Sequence, residues 1–164
     1  MQSTLLADEG ATKGAAATRS VSLFAILLRP VAVRITDDGL GMVELIWEDA
    51  GVLRRMSGVV TAEELDTTAV ALQADERVDR LRYIIHDFSA ATEITLSQDD
   101  VEFMAVRASV ALLRNPGVRI AFVGDHPVVH ALIDAFNSQG VSPHQCHRFD
   151  AIEEARRFTA EPDG

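Results

Sequence analysis

Cysteine is nearly absent from this chain of 164 residues: Cys146 stands alone, so no intramolecular disulfide and no paired-cysteine metal framework can form. The expected setting is a reducing compartment, the cytoplasm. Lysine is scarcer than usual too, because Lys13 is the only lysine among 15 basic residues; no function follows from that bias. Long apolar runs are missing. The longest near the start, Val21 to Leu28, is broken by Ser22 and falls well short of the roughly 20 residues a membrane span needs. Asp8 and Glu9 precede that run and Arg29-Pro30 follows it, the reverse of the charge order of a secretory signal. Positive charge is in deficit, with 15 Lys and Arg against 25 Asp and Glu and a net charge of -10. Any approach to a phosphate backbone or an anionic lipid surface would therefore meet long-range repulsion, which removes nucleic acid from the expected partners. No repeat period and no glycine or proline excess is present, which excludes solenoid and collagen-like chains.

What is present suits one globular domain: 48% hydrophobic, 24% charged and 5% aromatic residues. Residues 1–20 are small, polar and aperiodic, too poor in apolar surface to offset ordering the backbone, and are expected to form a flexible tail. Residues 21–30 form an apolar lead-in that could dock on the body or pack against a second copy. From Val31 a period of two appears, with Val31, Val33 and Ile35 on one face, ended by Asp37-Asp38-Gly39. A second strand over Met42 to Trp47 is expected to complete a hairpin with it, and a third runs over Val52 to Ser57. Thr61-Ala62-Glu63-Glu64 is a capping box that opens a helix to about Ala74.

Leu81 to Ile85 is a strand apolar on both faces, as a covered central strand requires, ending at His86 and Asp87. Ser97-Gln98-Asp99-Asp100 opens a helix to about Arg114, Val118 to Val123 is a further strand, and Pro127 starts a helix that Gly140 ends. A short strand near Gln145 to Phe149 then leads to Asp150, expected to cap a closing helix to about Thr159. The order βββαβαβαβα implies an α/β domain over 31–160, with a mixed, largely parallel sheet, an N-terminal hairpin and right-handed crossovers placing helices on both faces.

Four motifs carry a family resemblance. They are Gly58-Val59-Val60-Thr61 before the first helix, Asp87-Phe88-Ser89 after the central strand, Asn115-Pro116-Gly117-Val118-Arg119-Ile120-Ala121 at a helix-to-strand turn, and Phe149-Asp150 with Ala155. In this order and spacing, across roughly Val31 to Phe158, the chain resembles the SpoIIAA-like family, small domains related to STAS anti-sigma-factor antagonists and to Sec14-type lipid-binding modules. The resemblance implies a domain without catalytic machinery or cofactor that binds a protein partner or, in the Sec14-type branch, a lipid. It also implies Ser97 as the position closest to the serine that a partner kinase phosphorylates in such antagonists. Those proteins carry Asp-Ser-Ser-Gly there, whereas this chain reads Thr95-Leu96-Ser97-Gln98-Asp99-Asp100 after a longer loop.

Each candidate site has a structural reading beside its functional one. Ser97 serves as a helix cap or as a phosphoacceptor, with Asp99 and Asp100 repelling an added phosphate. Asp87, Ser89, Gly124 and Asp125 share the carboxyl edge of the central strands, where ligands of open α/β sheets sit, or they turn the chain and cap helices. His126, His130, Asp134, His144, Cys146 and His147 supply metal-ligand chemistry without the paired cysteines of structural zinc sites, so no metal is expected. No Gly-x-Ser-x-Gly elbow and no glycine-rich phosphate loop occurs, which places a hydrolase behind the other readings. The helix after Ser97 is apolar on two sides, with Val101, Met104, Ala105, Ala108 and Leu112 on one and Phe103, Val106 and Val110 on the other. A surface helix needs only one such stripe. The expectation is a non-enzymatic regulatory domain that binds a protein and self-associates as a homodimer. The alternative is a carrier holding an apolar ligand or lipid between the sheet and this helix.

Overall fold

The computed structural model describes residues 41–161; the tail, the lead-in and the strand expected from Val31 lie outside them. Within these residues the order is ββαβαβαβα. Strands β1 (Gly41–Trp47) and β2 (Gly51–Thr61) form an antiparallel hairpin in which Val43 pairs with Met56 and Trp47 with Val52. The hairpin thus joins the second and third expected strands. The turn is tight because the Tyr83 ring lies against Gly51, where a Cβ would fall 2.2 Å from ring carbon. Only glycine fits there.

From β2 onward all pairing is parallel. The sheet runs β1-β2-β3-β4-β5, with β3 over Tyr83–Thr95, β4 over Arg119–Val123 and β5 over His147–Phe149. Helices α1 (Ala62–Ala74), α2 (Gln98–Leu112) and α3 (Pro127–Ser138) are the crossovers, and α4 (Ile152–Ala160) closes the chain. A short 3-10 helix over Glu76–Arg80 links α1 to β3.

Helices cover both faces, but unequally. Each crossover steps the same way along the sheet, and connections of one hand stepping one way put their helices on one side. Accordingly Leu65 and Leu72 of α1, Val101 and Leu112 of α2, and Val129 and Leu132 of α3 share one core with Val52, Met56, Phe88, Ile120 and Phe122. Only α4, which is not a crossover, lies on the other face, where Ala155, Ile152 and Phe158 pack on Leu53, Ile85, Ala121 and Val123.

Two expectations need correction. The central strand does not end at His86 and Asp87 but continues to Thr95. The extension sets buried Phe88 and Ile94 among the exposed Ser89, Thr92 and Glu93, a broken apolar pattern, and is held by backbone pairing to β2. Asp150 does not cap the last helix. Ala151 occupies the cap with no side-chain bond, while the Asp150 carboxylate accepts from Arg148 at 2.5 Å.

Candidate functional site

Helix α2 is the least ordinary element of the fold. Its entry is closed by a full capping box: the Asp100 amide donates to Ser97 Oγ at 3.2 Å, and Ser97 N–H donates to Asp100 Oδ2 at 2.8 Å. The Ser97 hydroxyl also donates to that carboxylate at 2.6 Å, and these bonds hold the Asp100 pKa below the ordinary carboxylate value. The side chain offered as a phosphoacceptor is therefore exposed and engaged as a cap.

Beyond the cap the helix is apolar on two sides. It packs chiefly on α3 and α1 rather than directly on the strands. Its sheet-ward side carries small residues: Ala105 is fully buried, Ser109 is buried and donates to the Ala105 carbonyl at 2.8 Å, and Ala108 and Ala111 line a cavity beneath the helix. Val101 and Leu112 are buried on that side too, and further bulk points outward. Phe103, Val106, Val110 and the C-cap Leu113 are 60%, 53%, 63% and 70% exposed, and among the described residues only Val70 of α1 joins them as a large exposed hydrophobe. Burying such a side chain contributes about 1.5–3 kcal/mol, so the stripe withholds several favourable contacts from the monomer.

The sheet-edge residues are brought together in part. Asp87 Oδ1 accepts from both the amide and the hydroxyl of Ser89, at 3.0 and 2.6 Å, and Arg55 Nε lies 3.8 Å from the other oxygen. Gly124, at φ 121°, approaches the Phe88 and Ser89 backbone so closely that a Cβ would stand 3.3 Å from Phe88. The Asp125 carboxylate turns elsewhere, to His130 Nε2 at 3.0 Å and toward Arg148 at 3.8 Å, and these two partners lower its pKa. A hydrolytic relay is not assembled here. His86 and Asp87 are consecutive on a strand and so project from opposite faces. His86 stacks on Phe122 at 4.8 Å on the crossover side, away from the Asp87–Ser89 pair.

The metal-type residues are likewise dispersed. His126 caps α3, accepting the Val128 amide on Nδ1 at 3.2 Å. His147 meets the edge of Phe158, and burial pushes the Cys146 thiol up to about 12. Among the described residues no three His, Cys, Asp or Glu side chains are grouped to hold an ion. Nor is any helix long and apolar enough to cross a membrane among these residues. Arg54 and Arg107, which also line the cavity under α2, carried no sequence signal, since single arginines in a strand and a helix read as solvent-facing residues.

No protein-family model and no curated protein matches the chain. Solved structures do. One is the anti-sigma factor antagonist SpoIIAA in its unphosphorylated form, at TM-score 0.49 and 12% identity over 73% of this chain and 99% of that one. A second is an anti-sigma factor antagonist from Mycobacterium paratuberculosis, at TM-score 0.49 and 12% identity over 77% and 100%. A third is an uncharacterised protein with a SpoIIAA-like fold from Shewanella loihica, at 0.45 and 11% over 73% and 93%.

Proposed function

We propose that this chain is a non-enzymatic protein-interaction domain whose contact surface is the outer face of α2, and that the occupant of that face is a second copy of the chain. The observation that carries the reading is the exposed stripe Phe103, Val106, Val110 and Leu113. Its members are spaced three, four and three apart, the seam on which one helix packs against another. The separation of His86 from Asp87 and Ser89 supports the absence of hydrolytic chemistry at the sheet edge.

Sedimentation across a concentration series tests the reading. The parent is expected to form a dimer and Val106→Glu a folded monomer, because Val106 is half exposed and a carboxylate there costs the monomer little. Val110→Glu should behave alike. A parent that remains monomeric at high micromolar concentration overturns the proposal.

A further inference from the structure

Raising α2 on its neighbours, with alanines beneath it, leaves a cavity of about 110 Å³ between the helix and the sheet. The walls are mostly apolar, with Leu72, Ile84, Met104, Leu132 and Phe122 among them. Three charged side chains also line it: Arg54, Arg107 and Asp66. Arg107 and Asp66 bond to each other. Arg54 has no carboxylate partner among the described residues, although it is only 7% exposed. Its Nη2 donates to the Leu65 carbonyl and to Thr68 Oγ1, both neutral acceptors on α1, and its buried Nε–H has no acceptor.

A buried donor left unsatisfied costs about 1–3 kcal/mol, and more on a charged group. Burial, assisted by the Arg107 charge, accordingly depresses the Arg54 pKa to about 9. The neighbouring His86 supplies no compensation, because burial first and Arg54 second lower its pKa to about 3 and keep it neutral. The cavity thus combines, among the described residues, one positive charge without a carboxylate partner and an apolar wall.

We propose that this cavity binds a small monocarboxylate with an apolar body, its carboxylate on Arg54 and its hydrocarbon against Phe122 and Ile84. Charge selects the head, because a carboxylate neutralises the guanidinium and accepts charge-assisted hydrogen bonds from it. Volume limits the body: cavities of about 150 Å³ take up benzene, so the smaller space here suits an aliphatic acid of about four to five carbons. This inference does not depend on the docking role of the outer face of α2.

Titration of the full chain with sodium butanoate and sodium pentanoate, followed by amide NMR, tests it, with butanamide and pentanamide as neutral counterparts. Shifts are expected in β2 and along α2, with an acid Kd at or below about 1 mM and the amides at least about tenfold weaker. Arg54→Met should abolish binding. Ala108→Leu fills the cavity while leaving Arg54 in place, should also abolish it, and carries the test alone if the first variant does not fold. No saturable shift with either acid up to about 10 mM, equal binding of acid and amide, or binding that persists in a folded variant overturns the proposal.

Discussion

Tyr83 shows how a single position can report on the fold. It is the only tyrosine, its ring lies over Gly51, and its hydroxyl donates to Glu48 Oε2 at 2.5 Å. Arg156 of α4 grips the same carboxylate through two bonds, at 2.8 and 2.5 Å, so three residues tie the hairpin turn, the central strand and the last helix together. Burial first, then the Glu48 bond, raise the phenol from its ordinary 10 to about 12. The folded state thus favours the neutral phenol: that stabilisation is complete below pH 10 and lost as pH climbs through 12. Ultraviolet titration of native protein should place ionisation near pH 12 and that of denatured protein near 10. Glu48→Gln should move the native value part of the way back, since burial, the larger cause, remains. Glu48 works in the opposite sense. The Arg156 bond lowers its pKa, so its contribution is present above the unfolded carboxylate value and fades as pH falls through the folded one. At Asp150 the prediction is nearly nil. An exposed pair with Arg148 is worth about 0–1 kcal/mol, so Asp150→Ala should leave the melting temperature almost unchanged by calorimetry.

Among elements, the helix openings differ in what holds them. Thr61 and Glu64 make the reciprocal bonds of a capping box: the Glu64 amide donates to Thr61 Oγ1 at 3.3 Å, and Thr61 N–H donates to Glu64 Oε2 at 2.9 Å. Thr61→Ala should therefore cost about 0.5–2 kcal/mol in denaturant unfolding, several times the effect at Asp150. A change below about 0.3 kcal/mol would mean that packing of Leu65 and Leu72, not the cap, fixes this helix entry. Helix α2 has the stronger consequence for function. Phe103, Val106 and Val110 point out, while alanines lie beneath it beside the buried Val101 and Leu112, which leaves both an exposed seam and the cavity beneath.

For the whole molecule, charge and chain length bear on separate properties. At -10 two copies repel at a distance, and salt that shortens screening to about 8 Å should strengthen self-association. The dimer constant measured by sedimentation is expected to tighten from low to physiological salt. Removing residues 1–20 should shift the melting temperature by no more than a few degrees, because that stretch has no apolar period with which to dock.

The order of elements, the two capping boxes and the stop at Gly140 were legible along the chain, because caps, turns and periodicity are local and involve residues a few positions apart. So was the doubly apolar character of α2, which set the expectation of an interaction surface. The full length of β3 was not, since Ser89, Thr92 and Glu93 interrupt its apolar pattern and its far end depends on backbone bonds to β2, a partner some 30 positions away in register. Asp150 misled for the converse reason: its local pattern fits a cap, yet Arg148 captures the carboxylate. Arg54 gave no signal at all. Its charge, unpartnered by any described carboxylate, arises from a long-range fact, that one strand face meets α1 and lies beneath a raised α2.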